Sequence, residues 1–485
     1  MSQPDSQTQA RTRQLFGTDG VRGVANVEPM TSETALRLGR AVAHVFRKNA
    51  RPGHRSRIVI GKDTRVSGYM LETAMASGIC SMGVDVLLVG PMPTPGIAFL
   101  TRSLRADAGA VISASHNPFQ DNGIKFFSSE GFKLPDEVEL EIERLVLDNG
   151  IDHLRPTAEH IGKAYRIDDA GGRYNVFVKN TFPRELTLDG LRIVVDAANG
   201  AGYRIAPEVL AELGATVTCI GCEPDGENIN HECGATAPAA LQRAVVEQRA
   251  HVGVALDGDA DRCVLVDECG EVVDGDALLA IAARELKEQG RLANNTLVTT
   301  QMSNFGLELA MRDLGIDVVK TAVGDRYVLE AMQKSGHNLG GEQSGHVLFL
   351  DHTTTGDGLI TALAILGVMR ARNQPLSTLA RVMQKFPQVL INIPVREKRD
   401  LDEIESVRAA VQRCEQALGG RGRVYIRYSG TEALARVMVE GQELAQVERH
   451  ANDIADAVRA ALGTGSPHGA HAAASPRPEP LAARA

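Results

Sequence analysis

The sequence predicts an α/β protein: three consecutive α/β domains with mixed sheets, followed by a smaller C-terminal α+β domain. Three observations carry that expectation. At 485 residues the chain exceeds what one hydrophobic core sustains, and about 100–200 residues per domain suggests about three units. Apolar residues make 43% and charged residues 23%, the balance of a folded chain rather than of a disordered or rod-like one. Short β-rich apolar runs alternate with helix-like stretches, the rhythm of βαβ units on a sheet that is at least partly parallel.

The elements follow in order. Ile58–Ile60, Val84–Val89 and Ala110–Ser113 read as strands, separated by helical patterns at Met70–Met82 and Pro95–Leu104. The rhythm returns at Leu191–Asp196, which an Ala-Asn-Gly-Ala-Gly turn follows, at Val252–Leu256, and at Leu297–Thr300 and Val318–Thr321. The last part has another texture: Val389–Val395, Arg423–Tyr428 and Arg436–Glu440 are strand-like, and Leu401–Leu418 and Glu443–Leu462 helical. No fixed-period motif signals a solenoid or propeller, so the units share a layout only. These patterns set domains at residues 1–165, 166–267, 268–384 and 385–463. The Ala/Pro-rich tail 464–485 has almost nothing to bury and is expected to be disordered.

Charge and composition narrow the function. A net charge of −9 disfavours a whole-chain grip on nucleic acid or anionic lipid, while a local basic pocket for a small anion stays open. With 12 Phe, 7 Tyr and no Trp, few platforms exist for stacking bases. Seven scattered cysteines do not read as a disulfide framework and fit a reducing cytoplasm. Cys219, Cys222 and Cys233 offer three zinc ligands without a fourth, so buried structural thiols are the preferred reading. The polar residues 1–14 lack a signal peptide's apolar region, and the apolar run Gly358–Met369 is too short to span a bilayer.

The sharpest local signal is Asp257-Gly-Asp259-Ala-Asp261-Arg262, three carboxylates at i, i+2 and i+4 after an apolar run. Alternate residues of an extended loop converge on one side, giving three hard oxygen ligands suited to Mg²⁺. The plain alternative is a solvated acidic turn, but three like charges beside a buried strand are costly without a cation. An EF-hand fails because Arg262 stands at the sixth loop position, where Gly is needed, and Cys263–Asp267 alternates like a strand. Outside oxygens must complete the coordination, and Arg262 favours a phosphate among them.

Ser113-Ala-Ser115-His116-Asn117-Pro118 follows a strand, where α/β proteins expose nucleophiles and bind ligands, although a capped turn explains it equally. Lys125, between Ile124 and Phe126, suits a partly desolvated lysine of lowered pKa that moves protons; the alternative is a surface lysine on an edge strand. Phe16–Gly23 joins flexible glycines to Arg22 as an anion contact, and no GxxxxGK[ST] loop occurs. Gly341–His346 offers Glu342 and Ser344 between glycines for sugar hydroxyls. Arg427, Ser429, Gly430, Thr431 and Arg436 supply the guanidinium groups, hydroxyls and Gly-centred turn that a phosphate pocket needs, although an ordinary turn explains this and the preceding clusters equally, and Lys62-Asp63-Thr64-Arg65 is a weaker cluster.

Together FGTDGVRG (16–23), ISASHNPFQDNGIKFF (112–127), DGDADR (257–262), GEQSGH (341–346) and RYSGTE (427–432) resemble the α-D-phosphohexomutase superfamily from about Leu15 to Leu462. The first motif, the SAS triplet, Gln343 and the loop Val323-Gly324-Asp325-Arg326 are similar to its bacterial phosphoglucosamine mutases. The resemblance implies four domains around a central cleft, and an isomerase that interconverts glucosamine 6-phosphate and glucosamine 1-phosphate through glucosamine 1,6-bisphosphate. It implies that Ser115 is the phosphorylated residue and joins Asp257, Asp259 and Asp261 around one Mg²⁺. Arg262 then neutralises phosphoryl oxygens, Glu342 and Ser344 hold hydroxyls in both sugar orientations, and Arg22 and the Arg427–Arg436 pocket bind phosphate. Lys125 and His346 are acid–base candidates, and His116 joins the catalytic set. The partners implied are a sugar phosphate, glucosamine or glucose 1,6-bisphosphate as activator, and a kinase or autophosphorylation that loads Ser115. Ala433, Ala435 and Tyr428 depart from the family pattern without removing a charged or hydroxyl group. The rival readings are a phosphoglucomutase/phosphomannomutase, a metal-dependent sugar-phosphate phosphatase, and a non-enzymatic metal-binding scaffold.

Overall fold

A computed structural model describes residues 14–17, 19–48, 54–148, 150–429 and 433–463. The tail 464–485 lies outside the described residues. The chain groups into two units, residues 1–303 with 311–383, and residues 304–310 with 384–485.

The first unit holds three mixed sheets. The first contains β1 (Val21–Val24), β2 (Arg57–Lys62), β3 (Asp85–Pro91), β4 (Ala108–Ile112), β5 (Asp121–Ser128) and β6 (Ala164–Arg166), in the order β1-β5-β4-β2-β3-β6. Strands β4, β2, β3 and β6 run parallel, while β5 lies antiparallel to both β4 and β1. The second contains β7 (Arg192–Asp196), β8 (Thr216–Ile220), β9 (Val252–Leu256), β10 (Cys263–Asp267) and β11 (Val272–Val273), ordered β11-β10-β9-β7-β8. The third contains β12 (Thr296–Thr300), β13 (Asp317–Thr321), β14 (Leu339–Gly341) and β15 (Val347–Phe349), ordered β13-β12-β14-β15. Each sheet makes the same turn from parallel to antiparallel pairing: β4 to β5, β9 to β10, and β14 to β15. In the second unit β16 (Gln388–Pro394), β17 (Gly422–Tyr428) and β18 (Leu434–Gly441) form a wholly antiparallel sheet, order β16-β18-β17, backed by helices Glu405–Leu418 and Leu444–Leu462.

Burial explains the runs read from sequence. Strands β4 and β9 are buried along their whole length, as strands covered on both faces must be. The apolar run from Gly358 is a buried helix, Gly358–Arg372, capped by Asp357, whose carboxylate accepts from the Leu359 and Ile360 amides at 3.0 Å. Among the described residues no helix is long and apolar enough to cross a membrane. Two differences stand out. The helical pattern Leu401–Leu418 splits at Ile404 into a 3₁₀ turn, Leu401–Glu403, and a helix starting at Glu405. Lys125 lies on β5 between two strands and is buried, so the edge-strand alternative does not hold.

Helices Ser32–Lys48 and Ser67–Ser81 cross so closely that a Cβ on Gly78 would sit 2.2 Å from the Leu36 carbonyl oxygen, and one on Gly39 would sit 2.4 Å from that of Met75. Backbone cannot yield as a side chain does, so Gly78→Ala is expected to destabilise the first unit by about 1–3 kcal/mol, the range for overpacking. Urea unfolding monitored on the purified protein checks this, and an unchanged midpoint contradicts the close crossing.

Candidate active site

The three hairpins at the parallel-to-antiparallel switch carry the chemistry. The β4–β5 connection holds Ser113, Ser115 and His116; β9–β10 holds Asp257, Asp259, Asp261 and Arg262; β14–β15 holds Glu342, Ser344 and His346. Strand carboxyl ends in α/β sheets converge on ligands in this way.

Ser115 is 2% exposed and takes a left-handed backbone, φ 52°. Its Oγ donates to Asp257 Oδ2 at 2.7 Å and lies 3.4 Å from His116 Nδ1. Such a conformation costs about 1–3 kcal/mol unless its surroundings enforce it. Here the Ser115 amide donates to Ser113 Oγ (2.9 Å), which donates to Asp63 Oδ2 (2.5 Å). Asp63 is paired with the wholly buried Arg65, whose Nη2 donates to the carbonyls of Ser115 (3.2 Å) and Asn117 (2.5 Å). Asn230 Nδ2 donates to the same two carbonyls at 2.9 Å. Local sequence marked Asp63 and Arg65 only faintly and Asn230 not at all, because their role depends on approach across the fold.

Asp257, Asp259 and Asp261 do converge, with ligand oxygens all within 4.8 Å of one another, and all three are buried. An extended loop does not bring them together. The segment turns sharply: Ala260 has φ 57°, its amide donates to the Asp257 carbonyl (3.0 Å), and its own carbonyl accepts from the Gly358 amide (3.0 Å). The turn meets the cost of gathering like charges only in part. Asp259 Oδ2 accepts from Thr94 Oγ1 at 2.8 Å, and its carbonyl from the Thr94 amide at 2.9 Å, at the start of helix Thr94–Ser103. Lys125 Nζ lies 3.2 Å from Asp259 and 3.0 Å from Asp19. Burial raises the Asp259 carboxyl, but Lys125 and the Thr94 hydroxyl hold it below the usual range. Burial and the neighbouring Asp261 and Asp259 push Asp257 well above it. Asp259 Oδ1 and Asp261 Oδ1 are buried without any hydrogen-bond partner. Two orphaned carboxylate oxygens beside a third buried carboxylate fit a hard metal cation, and the triad can bind one.

Lys125 departs from expectation. Burial alone lowers its pKa, yet Asp19, Asp259 and Asp261 together raise it above the ordinary lysine value. It is a fixed ammonium rather than a neutral amine. His346 is buried with Nδ1 3.6 Å from Asp261 and Nε2 3.5 Å from Asp325; despite burial, these carboxylates raise it to about 9. Burial, then Arg262 and Arg22, lower His116 to about 4.

Ser115, Arg22, Arg262, Glu342 and His346 line one cavity of about 850 Å³, shared with Asp19, Asp325, Arg326 and Tyr327. Glu342 also accepts from the Gly324 amide at 3.0 Å, tying the hairpin to the Val323–Arg326 loop. Ser344 is exposed, 3.5 Å from Glu342, and does not line the cavity. In the second unit Arg427 and Arg436 are register partners on β17 and β18, so two guanidinium groups share one sheet face. Ser429 is buried, and Gly430 and Thr431 lie outside the described residues. Of the three cysteines, Cys233 is buried, Cys222 half-buried and Cys219 exposed, so the buried-thiol expectation fails at Cys219, on the outer edge strand β8. Among the described residues only the three aspartates gather as a metal-ligating group.

The chain is similar to known proteins along most of its length. Four domain families described as Phosphoglucomutase/phosphomannomutase match in order: alpha/beta/alpha domain I at residues 13–150, domain II at 173–270, domain III at 274–386, and the C-terminal domain at 390–457. A phosphoglucosamine mutase of Syntrophotalea carbinolica is 60% identical over 451 residues, covering 93% of this chain and 98% of its own. A phosphoglucomutase/phosphomannomutase family protein of Burkholderia thailandensis shares the fold at 24% identity and TM-score 0.76, over 92% of this chain and 97% of that one. The Aspergillus fumigatus N-acetylphosphoglucosamine mutase, solved in complex with GlcNAc-6P and magnesium, does so at 18% identity and TM-score 0.59, over 88% and 99%. From end to end of its described domains, the chain belongs to the phosphoglucomutase/phosphomannomutase family, among the isomerases related to phosphoglucosamine mutase.

Proposed function

We propose that this chain interconverts glucosamine 6-phosphate and glucosamine 1-phosphate, through phosphorylated Ser115 and glucosamine 1,6-bisphosphate. The observation that carries the reading is Ser115 Oγ at 2.7 Å from a buried carboxylate triad with two orphaned oxygens. Asp257, Asp259, Asp261 and the seryl phosphate are the groups that hold one Mg²⁺, which when bound neutralises phosphoryl oxygens as charge shifts during transfer.

In the first half-reaction the phosphoserine Oγ–P bond breaks as sugar O1 bonds to phosphorus, and the O1 proton passes to the acid–base groups while Oγ regains one. The bisphosphate turns around; its O6–P bond breaks as Oγ bonds to phosphorus, and the Oγ proton passes to the acid–base groups while O6 regains one. Arg262 and Arg22, on the cavity wall, steady the phosphoryl oxygens. Lys125 and His346 are assigned as acid–base groups: His346, raised to about 9, can give a proton, whereas Lys125, held as an ammonium by Asp19 and Asp259, gives one only if a cation on the triad offsets Asp259. His116, 3.4 Å from Oγ, is held neutral at pH 7 by burial, Arg262 and Arg22, so it takes up a proton only weakly. Glu342, on the cavity wall, is assigned to sugar hydroxyls, with Ser344 supporting it from 3.5 Å, and the phosphate not being transferred is assigned to Arg427, Ser429, Gly430, Thr431 and Arg436. A free sugar bisphosphate, of glucosamine or glucose, acts as activator by loading Ser115, as a kinase or autophosphorylation also would. The seven free cysteines support a cytoplasmic setting.

Intact-mass and peptide mapping before and after incubation with glucosamine 1,6-bisphosphate and Mg²⁺, paired with a glucosamine 1-phosphate assay, tests the mechanism. One phosphoryl group on Ser115 that tracks with activity is expected, and a fully active enzyme with unmodified Ser115 overturns it. Ser115→Ala should lose all measurable isomerisation while keeping its melting temperature. Asp259→Asn should fold, because Lys125 keeps Asp19 as partner, and should lose about 10²–10³-fold in rate, equivalent to several kcal/mol of transition-state stabilisation. Its Mg²⁺ titration should shift to higher concentration, and a wild-type titration curve contradicts the ligand assignment.

A further inference from the structure

Lys133 belongs to none of the sequence motifs and does not line the cavity. Its Nζ nonetheless donates to Asp19 Oδ1 at 2.7 Å and to Asp325 Oδ2 at 2.6 Å. Each carboxylate also faces an acid–base candidate: Asp19 Oδ2 is 3.0 Å from Lys125, and Asp325 Oδ2, the oxygen that Lys133 contacts, is 3.5 Å from His346. Lys125 and His346 in turn reach Asp259 (3.2 Å) and Asp261 (3.6 Å). The result is a closed chain of side-chain contacts, Asp259–Lys125–Asp19–Lys133–Asp325–His346–Asp261, that starts and ends on the triad and passes through all three hairpin-bearing domains.

Lys133 is the member of this chain farthest from the triad and the one that joins its two arms. A second contact holds it there. It sits just past β5, where Phe127 and Lys133 form an isolated antiparallel bridge. The intervening turn at Gly131, φ 78°, has its carbonyl accepting from Thr354 Oγ1 of the third domain at 2.6 Å. A Cβ at Gly131 would lie 2.9 Å from the Ala98 carbonyl oxygen, so the turn has no room to drift that way. The ammonium is thus carried on a pinned turn between the first and third domains.

We propose that Lys133 is a positioning residue for the mutase reaction: by bridging Asp19 and Asp325 it fixes Lys125 and His346 together against the triad. The inference rests on the reading of Lys125 and His346 as acid–base groups. Without the bridge, Asp19 retains Lys125 and Arg22 but loses its tie to the third domain, and Asp325 retains the Arg326 amide at 2.8 Å and the longer contact to His346 but loses its tie to the first. A catalytic group misplaced by about 1 Å can cost about 100-fold in rate.

The test uses full-length, Mg²⁺-loaded, Ser115-phosphorylated enzyme and glucosamine 1-phosphate, with Lys133→Met, Lys133→Arg, His346→Gln and the Lys133→Met/His346→Gln pair. Expected are a kcat about 10–100-fold lower for Lys133→Met with KM within about threefold, and recovery of at least about half of the logarithmic loss by Lys133→Arg. The paired variant should be slower than His346→Gln by a clearly smaller factor than Lys133→Met is slower than wild type, since only the Lys125 arm is left to disturb. Losses that multiply in the pair, or a Lys133→Met enzyme of wild-type kcat, overturn the proposal while leaving the catalytic reading intact. A His346→Gln enzyme of wild-type kcat overturns the acid–base reading, and the positioning role with it. Should Lys133→Met fail to fold, the Lys133→Arg/His346→Gln pair supplies the same cycle.

Discussion

Three buried carboxylates within 4.8 Å of one another are the constraint on which the first unit depends. Unbalanced, they repel each other and forfeit hydration, and a buried acid in that position gives up its charge; Asp257 is already pushed in that direction. Much of the surrounding structure answers this. The Thr94 amide and hydroxyl cap Asp259 from one helix start, the Gly358 amide pins the turn at Ala260 from another, and Lys125 and His346 each set a cation against one carboxylate. What these contacts leave open, two oxygens with no donor, is a position for a cation and for the oxygens that accompany it.

That solution draws on every sheet of the first unit through one topological device. A parallel strand has its carboxyl end free at the sheet's rim; when the next strand returns antiparallel, the connection is a short hairpin held on both sides. The connections after β4, β9 and β14 are such hairpins, so the serine, the triad and the Glu342–His346 loop all sit on stiff supports. Stiffness has a visible cause at the serine. A Cβ on Gly258 would lie 2.6 Å from the Ser115 carbonyl oxygen, and one on Gly200 2.3 Å from that of Gly258, so three backbone segments stack with nothing between them. Only glycine at 200 and 258 lets the triad turn approach the serine closely enough for a 2.7 Å hydrogen bond from Oγ to Asp257.

The sequence was informative where one segment carries its own reason. Strand β9 and the carboxylates after it are five apolar residues followed by DGDAD, and both were legible because burial and charge density are local properties. The βαβ rhythm likewise marks the parallel strands β2, β3, β4, β7, β9, β12 and β13, but not β6 or β8. It did not give β14 or β15, three residues each, whose register comes from pairing across the third sheet. The triad's turn was misread as extended because nothing in DGDAD announces that Ala260 adopts φ 57°; the Gly358 amide, about a hundred residues on, makes that conformation worthwhile. Lys125 was misjudged for the same reason. Its apolar neighbours Ile124 and Phe126 advertise desolvation, whereas the two aspartates that keep it charged arrive from β1's leading loop and from β9.

These misreadings share a physical origin, and it bears on how the site works. A buried lysine among apolar residues loses its proton, while the same lysine between two carboxylates keeps it, so the chemistry of Lys125 is set by domains that meet and not by its own strand. The same holds for His346, whose pKa near 9 arises from Asp261 of the second sheet's hairpin and Asp325 of the third domain. Protonation at the site is therefore coupled to the packing of the three domains: separating any one of them removes a carboxylate from a cation or a cation from a carboxylate. A phosphoryl transfer whose rate rests on fixed charges has most to gain from such an arrangement, because the charges are set before substrate arrives and need no rearrangement as the phosphoryl group moves.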